Sequence, residues 1–346
     1  MQSFCISLYL YIMKAILQLL LLAILAGSTG SSPATDAGED IYAPQGETYA
    51  VIFSGGRNKM YNHERYWNDC AFLYRTLRQE CNIPKDHVTL LMADGDNPAT
   101  DMLLDGATGL ASSPTDLDGD GQLDLTLAAT RQNLDDTFCR LSTTLTGDDH
   151  LFLFITDHGE RTFPSSGEEG CPQGGVVAND VHLWLWGNDR LQPDELAAMV
   201  NLCHPATMSI LLGQCHAGAF VAPLQAEGRV ITTACSADQM SWACKDRPYD
   251  EFVYHWTCAI AQHDETGLPV VSDQDGDGLI SMQEAYDYAR QHDRRPETPS
   301  LIAQPDYLAA RWSFSGIGTK DGIVNNYCRV TANSRYYDLQ GRLIKK

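Results

Sequence analysis

Two apolar segments, each followed by a short polar turn, are the feature that most constrains the fold of this 346-residue chain. Residues 151–155 and 208–212 are apolar at nearly every position, which is typical of strands buried on both faces of a parallel sheet. The first segment leads into Thr-Asp-His-Gly, which contains His158, and the second leads into Gly-Gln-Cys-His-Ala-Gly, which contains Cys215. Side chains that follow parallel strands converge on one crevice at the carboxyl edge of the sheet. We therefore expect the His158 imidazole and the Cys215 thiol to lie close together.

Strand-like and helix-like segments alternate along most of the chain. Short apolar runs predict strands at 49–53, 87–92, 150–155, 206–212 and 229–234. Helical periodicity and helix start signals predict helices at 66–81, 127–145, 192–202 and 250–262. This alternation predicts an α/β fold, with a mostly parallel sheet that is covered by helices on both faces.

The charge of the chain limits its partners. A formal net charge of −21 argues against nucleic acid and against anionic membrane surfaces. The length suffices for one large α/β domain or two smaller ones. We expect no organic cofactor, and no Cys-x-x-Cys pair suggests a zinc site. The sequence leaves the oligomeric state open.

The N-terminus has the pattern of an export signal. Lys14 precedes an apolar stretch, 15–26, and a run of small residues, 27–31. This order predicts a signal peptide over 1–34, with Met13 as an alternative start, and a linker over 35–46. The alternative is a membrane anchor over 4–26, which Lys14 interrupts. We expect an exported protein, periplasmic, on the cell surface or secreted, with no membrane span after removal of the signal.

An exported chain with eleven cysteines can pair some of them. The candidates are Cys70, Cys81, Cys139, Cys171, Cys203, Cys235, Cys244, Cys258 and Cys328.

Cys215 and His158 together suggest nucleophilic catalysis. A thiolate attacks a carbonyl, and an imidazole takes up and returns the proton. The alternative for Cys215 is an inert core cysteine, and for His158 a histidine that only satisfies polar groups at a strand end.

The motifs around these two residues resemble those of the legumain family of cysteine peptidases. They are Thr-Asp-His-Gly at 156–159, the Cys215 turn, Ile-Thr-Thr-Ala at 231–234 and Ser-Trp-Ala-Cys at 241–244. The GPI-anchor transamidase subunit and, more distantly, the caspases share the fold. The resemblance covers about 46–261 and implies a caspase–hemoglobinase fold and a peptide or protein substrate.

The resemblance also implies roles for individual residues. Cys215 is the nucleophile, His158 the general base and acid, and the N–H groups of Gly159 and Cys215 form the oxyanion hole. Asn62 matches the asparagine that orients the histidine; its alternative is an ordinary turn residue.

The substrate pocket departs from the family pattern. Asp250 matches the pocket aspartate, and Gly213 stands where the family has a glutamate. The resemblance also implies that Ser241 and Trp242 belong to the substrate pocket. Without a gap, Glu64 stands at the position of the family arginine, which predicts an acidic pocket and cleavage after Lys or Arg. A shift of one residue restores Arg65 and removes the basis for this hypothesis.

Residues 273–284 match a whole EF-hand calcium loop. Glycine makes the turn at 278, and the predicted ligands are Asp273, Asp275, Asp277, the carbonyl of Leu279, Ser281 and a bidentate Glu284. The alternative is a solvated acidic loop. Neither this loop nor the next is typical of legumains, so we expect Ca²⁺ here as a structural or activating ion.

A second acidic loop is a partial copy of the first. Its predicted ligands are Asp116, Asp118, Asp120, Gln122 and Asp124, but its twelfth position is Leu127. The sequence is compatible with weak calcium binding at this loop and with no binding.

The chain ends in a segment, 326–346, that resembles a truncated C-terminal sorting tail of Bacteroidetes surface proteins; the alternative is a frayed strand. We expect an exported bacterial cysteine endopeptidase with its catalytic domain over 47–325. The alternatives are a transpeptidase or transamidase of the same fold and a catalytically silent, calcium-stabilised binding module.

Overall fold

A computed structural model describes residues 46–105, 109–162 and 181–314, and the backbone of Gly316–Ile317, Tyr336–Tyr337 and Leu343–Lys345. These residues belong to a unit that spans Ala43–Lys346. The predicted signal peptide, nearly all of the predicted linker, Cys171, Cys328 and most of the predicted sorting tail lie outside the described residues.

The described elements alternate as the sequence predicts. The strands are β1 Thr48–Ser54, β2 Val88–Met92, β3 Met102–Leu103, β4 Leu110–Ala111, β5 His150–Thr156, β6 Gly159–Arg161, β7 Val181–Leu185, β8 Asp189–Leu191, β9 Thr207–Leu212, β10 Arg229–Thr233, β11 Ser300–Gln304, β12 Trp312–Ser313, β13 Gly316–Ile317, β14 Tyr336–Tyr337 and β15 Leu343–Lys345. The α-helices are α1 Glu64–Arg75, α2 Arg131–Thr144, α3 Pro193–Val200, α4 Val221–Leu224, α5 Glu251–Ala261 and α6 Met282–His292.

The central sheet has six strands in the order β11-β10-β9-β5-β1-β2. The five strands from β10 to β2 are parallel, and β11 pairs with β10 in the antiparallel sense. Helices cover both faces, so the predicted α/β class with a mostly parallel sheet is confirmed.

Alternate residues of each central strand supply two separate cores. In β5, Phe152 and Phe154 pack on the side of α1, α5 and α6, whereas Leu153 and Ile155 pack on the side of α2 and α3. Both sets are fully buried, which explains why the sequence of β5 is apolar without alternation.

Helix boundaries follow local signals. The predicted start of the helix at 127 is four residues too early, because Leu127 forms a bridge with Leu91 beside β2. α2 begins only after Thr130, whose side chain accepts a hydrogen bond from the N–H of Asn133 at 3.3 Å. α1 continues into a π-helical turn, Thr76–Glu80, which accounts for the longer helix that the periodicity predicts.

The features that were not predicted include an edge strand and a second sheet. β11 is an antiparallel edge strand that follows α6, and its residues are only half-buried, so it lacks the apolar run of the central strands. A second sheet, β6-β7-β8, begins immediately after His158 and lies beside the carboxyl edge of the main sheet.

Among the described residues, no helix is both long and apolar enough to cross a membrane. Seven cysteines in this part of the chain are free thiols: Cys70, Cys139, Cys203, Cys215, Cys235, Cys244 and Cys258.

Candidate active site

The turns that carry His158 and Cys215 meet at one edge of the sheet. Their strands, β5 and β9, are neighbours with Ile155 paired to Leu212, so both chains leave the sheet at the same level. A Cβ atom on Gly159 would lie 1.9 Å from the carbonyl oxygen of Cys215. Only glycine permits this approach, and the predicted convergence of the two turns is what the structure shows.

Both turns contain a residue with backbone geometry that is unfavourable for a side chain. Asp157 has φ of 99° and His216 has φ of 60°. The Asp157 conformation is held through its buried carboxylate, which accepts hydrogen bonds from the N–H of Gly56, from Ser54 Oγ at 3.3 Å and from the N–H of His158 at 2.6 Å. Such strain persists only where its surroundings fix it, and here it positions the imidazole and the thiol.

The contacts of His158 identify its tautomer. Nε2 lies 2.9 Å from the carbonyl oxygen of Tyr61, and Nδ1 lies 3.4 Å from Tyr66 Oη. Because a carbonyl oxygen can only accept, Nε2 carries the proton and Nδ1 is the basic nitrogen of the neutral ring. Asp157 Oδ1 lies 3.9 Å from Nε2.

Among the hydrogen bonds of the described residues, none joins the Asn62 side chain to His158. Its amide is buried and donates to the carbonyl of Asp101 at 3.0 Å. The orienting contact predicted for this amide comes instead from the main chain of the preceding residue, Tyr61.

The Cys215 thiol is half-buried beside Ser241. Its Sγ lies 3.7 Å from both the carbonyl oxygen and Oγ of Ser241. Burial raises the pKa of Cys215, and the charge of Asp250 raises it further, while the two Ser241 contacts lower it. With a raised pKa the resting thiol keeps its proton at neutral pH, so it needs a base to become a nucleophile.

Arg65 and Asp250, two of the predicted pocket residues, form a buried ion pair. Arg65 Nε lies 3.0 Å from Asp250 Oδ1, with side-chain exposures of 17% and 8%. Glu64 does not join this pair: it accepts the N–H of Asp105 at 3.1 Å, and the Asp105 carboxylate lies 3.7 Å from Arg65 Nη1. The alignment shifted by one residue therefore describes the pocket, and the acidic pocket inferred from the position of Glu64 is not what the structure shows.

Two further observations describe the surroundings of Asp250. The backbone N–H of Asp250 lies 3.2 Å from a carboxylate oxygen of Asp69, and burial, with the charge of Asp250, raises the pKa of Asp69 well above its ordinary value. A Cβ atom on Gly213 would lie 2.5 Å from Val253 Cγ2, so α5 fills the space that a longer side chain at 213 would need.

Sequence reasoning missed Glu297. Its Oε2 accepts the backbone N–H of Trp242 at 2.9 Å, while its Oε1 is buried. Burial, with the charge of Asp293, raises the pKa of Glu297 to about 10. Nothing in the sequence marks this residue, because it lies 55 positions after the segment that it contacts.

The model of the peptidase C13 family matches residues 140–269. The matched segment holds His158, Cys215, Ser241, Trp242 and Asp250. It confirms the legumain-family resemblance, and it supports a cysteine peptidase or transamidase of that family, with a protein as its substrate.

Comparisons with solved structures and with curated proteins give no further indication of function. The crystal structure of protein GSU0716 from Geobacter sulfurreducens is similar to this chain with a TM-score of 0.44 and 13% identity, and the match covers 76% of this chain and 97% of that one. No curated protein matches the chain significantly.

The predicted calcium loop lies outside the peptidase C13 match. Oxygens of Asp273, Asp275 and Asp277 all lie within 4.8 Å of one another. Asp273 Oδ1 accepts the N–H of Gly276 at 2.7 Å. The Glu284 carboxylate bridges the loop and the start of α6: its Oε1 accepts the N–H of Gln274 at 2.8 Å and its Oε2 accepts the N–H of Ser281 at 2.9 Å. The three aspartates are thus clustered, and Glu284 holds the loop backbone to the start of the helix.

The second acidic loop has the same backbone conformation as the first. The N–H of Gly119 donates to Asp116 Oδ1 at 2.7 Å, as Gly276 does in the first loop. Oxygens of Asp116, Asp118 and Asp124 cluster within 4.8 Å, while Asp120 and Gln122 hydrogen-bond to each other. Lys85 Nζ lies 2.5 Å from Asp124 Oδ1, so a fixed cation already neutralises part of this loop.

Proposed function

We propose that the chain is a cysteine endopeptidase in which Cys215 and His158 cleave peptide bonds through an acyl-enzyme. The observation that carries this proposal is the contact between their two turns, where Gly159 meets the carbonyl of Cys215 without room for a side chain. The neutral thiol and the basic Nδ1 of His158 supply the proton donor and the proton acceptor that the first step requires.

The chemistry follows from the protonation states. His158 Nδ1 takes the proton of Cys215, and the sulfur attacks the scissile carbonyl. The backbone N–H of Cys215, which has no acceptor among the described residues, can donate to the oxyanion together with Gly159. The imidazolium then protonates the leaving amine, which departs and leaves a thioester on Cys215. In the second step, His158 takes a proton from water, and the water oxygen attacks the thioester and releases the thiol.

The pocket supports a carboxamide side chain, asparagine in particular, at the P1 position of the substrate. Arg65 offers N–H donors and Asp250 offers acceptors within one small region. A carboxamide has one acceptor and one donor group, so it can satisfy both partners. A lysine or arginine would face Arg65 with a like charge, which disfavours the basic preference.

Hydrolysis of a fluorogenic peptide panel that varies only at P1 tests the proposal. We expect activity on the Asn substrate, loss of activity in Cys215→Ala and in His158→Ala, and retention in Cys139→Ala, which removes an exposed thiol on α2. A preference for Lys or Arg over Asn would contradict the pocket assignment. Activity that survives Cys215→Ala would contradict the nucleophile, and no activity on any peptide would favour a silent binding module.

The same panel with an added amine nucleophile separates hydrolysis from transfer. An acyl-enzyme that passes its acyl group to an amine gives a transpeptidation product, which mass spectrometry distinguishes from the hydrolysis product. Hydrolysis as the main outcome is expected.

We further propose that residues 273–284 bind Ca²⁺. The full twelve-residue motif supports this, together with the clustering of its three aspartates. Coordination by Glu284 requires its carboxylate to exchange its hydrogen bonds with the N–H groups of Gln274 and Ser281 for the ion. Isothermal titration with CaCl₂ is expected to show binding, and an unchanged heat signal between wild type and Asp275→Asn would contradict the site.

Export is proposed from the N-terminal signal pattern at 1–34. Expression in a bacterial host followed by fractionation and intact-mass analysis is expected to give a chain shortened near residue 34 outside the cytoplasm. A full-length cytoplasmic product would contradict export.

A further inference from the structure

Tyr66 lies between the pocket and the histidine. Its hydroxyl oxygen is 2.8 Å from Arg65 Nη2 and 3.4 Å from His158 Nδ1. The ring is fully buried at the start of α1, and it meets the imidazole edge-on with centroids 5.3 Å apart. The guanidinium of Arg65 lies over the same ring at 4.3 Å. These contacts fix the hydroxyl in one place.

The direction of the hydrogen bonds follows from the donors. A guanidinium has only N–H groups, so Arg65 donates and Tyr66 Oη accepts. The hydroxyl proton is then free to point at His158. Since Nε2 of His158 donates to the carbonyl of Tyr61, Nδ1 is an acceptor and takes this proton. The basic nitrogen of the dyad is therefore occupied by a tyrosine in the resting site.

We propose that Tyr66 is a positioning residue that holds Nδ1 of His158 in the empty site and releases it when a substrate side chain engages Arg65. This inference rests on the proposed function of Cys215 and His158. The Cys215 thiol and the Tyr66 hydroxyl compete as proton donors for Nδ1 of His158. The thiol can pass its proton to Nδ1 only after the hydrogen bond from the hydroxyl has broken.

The link to the substrate is Arg65. A carboxamide oxygen that binds the guanidinium competes with Tyr66 Oη for its N–H groups. Loss of the Arg65 contact removes one of the two bonds that fix the hydroxyl, and it weakens the proton donation to His158, because donors polarise a hydroxyl cooperatively. A substrate with a suitable P1 side chain thus activates the base, whereas other peptides leave it occupied.

Modification of Cys215 by methyl methanethiosulfonate tests this inference without any peptide cleavage. The reagent is small and carries no carboxamide, so it reports thiolate formation in the empty site. In wild type we expect N-acetylasparagine amide to accelerate modification of Cys215. Peptide mass spectrometry measures the rate at this cysteine. In Tyr66→Phe we expect modification to be faster by about 3- to 10-fold without the amide, the factor for one lost neutral hydrogen bond, and no further acceleration with it.

Tyr286→Phe is the matched control, because it removes a hydroxyl on α6, away from α1, that donates to the carbonyl of Pro299. This variant should behave as wild type. Slower modification of wild type in the presence of the amide, or equal rates in wild type and Tyr66→Phe, overturns the proposal. The wild-type arm decides the question even if Tyr66→Phe does not fold.

The same data separate this inference from the proposed function. A Cys215 thiol whose modification rate is the same in wild type and in His158→Ala contradicts the dyad itself. A rate that depends on His158 but is unchanged in Tyr66→Phe contradicts only the role of the tyrosine.

Discussion

Gly159 is the single residue on which the contact between the two active-site turns depends. In Gly159→Ala the new Cβ would lie 1.9 Å from the Cys215 carbonyl oxygen, so the nucleophile turn must shift. We expect kcat/KM to fall by about 100-fold or more, the order of magnitude for a disturbed oxyanion hole. Steady-state kinetics measure the fall, with the melting temperature as a check of folding.

Gly147→Ala is the control for this change, since a Cβ there meets no atom within 4 Å. It should keep the wild-type kcat/KM. Equal activity of the two variants would mean that the turns do not form the catalytic centre.

Glu297 gives the chain a pH-dependent stability. Its folded pKa, raised to about 10 by burial, lies above the ordinary value of 4.5, so the folded state retains a proton that the unfolded state loses. This contribution is complete below about pH 4.5 and is lost as the pH rises toward the folded pKa. Glu297→Gln keeps an acceptor for the N–H of Trp242 but cannot ionise.

The expected result is a Glu297→Gln variant that melts about 2 °C or more above wild type at pH 8, since about 1 kcal/mol corresponds to 2–4 °C in a domain of this size. At pH 5 the two proteins should differ less. Melting temperatures of wild type and variant across pH 5–9 measure the difference at each pH. Parallel curves for wild type and variant would show that Glu297 ionises normally.

At the scale of single residues, the sequence predicted the two reactive groups but not their partners. His158 and Cys215 stand out because each follows an apolar run. The orienting atom for His158 is a backbone carbonyl, that of Tyr61, which any residue could provide. The choice between Glu64 and Arg65 depended on the register of α1, and only the contact with Asp250 shows which one faces the pocket.

At the scale of elements, the two acidic loops differ in what neutralises them. Both fold alike, but Asp124 of the second loop already contacts Lys85 and accepts the Tyr74 hydroxyl at 2.9 Å. The first loop has no such cation among its described contacts. Calcium should therefore stabilise the protein mainly through the first loop, because its clustered charges gain more from the ion.

The expected result is a rise in melting temperature with CaCl₂ that EGTA reverses, as mass action requires for a ligand of the folded state. Asp275→Asn should remove most of this rise, whereas the matched change Asp118→Asn in the second loop should leave most of it. The opposite order would assign the ion to the second loop, and no rise in any variant would exclude a stabilising ion.

The central strands and helices were predictable because their apolar periodicity is strong. β11 was not, since an antiparallel edge strand with half-buried residues has neither a continuous apolar run nor clear alternation. The β6-β7-β8 sheet was not predicted because β6 and β8 have three residues each, which is too short to show a strand pattern.

At the scale of the whole molecule, the pocket exists only because the fold joins distant segments. Arg65 opens α1 and Asp250 precedes α5, 185 positions later, and both helices pack on the same face of the sheet. No local pattern could predict that these two side chains form a buried ion pair. The pair therefore ties substrate recognition to the assembly of that face.

Asp250→Asn separates the two consequences of this pair. The change breaks the hydrogen-bonded pair and leaves Asp105, 3.7 Å from Arg65 Nη1, as the remaining carboxylate beside the guanidinium, so we expect the unfolding free energy to fall by about 1–3 kcal/mol. The region around Arg65 also loses one negative charge, so it repels a P1 aspartate less than before. The ratio of kcat/KM for Asp over Asn substrates should rise about 10-fold, while Asp238→Asn, an exposed carboxylate that accepts from Ser236, leaves it unchanged. If Asp250→Asn instead lowers hydrolysis of all P1 substrates in proportion, the carboxylate supports the fold and does not read the substrate.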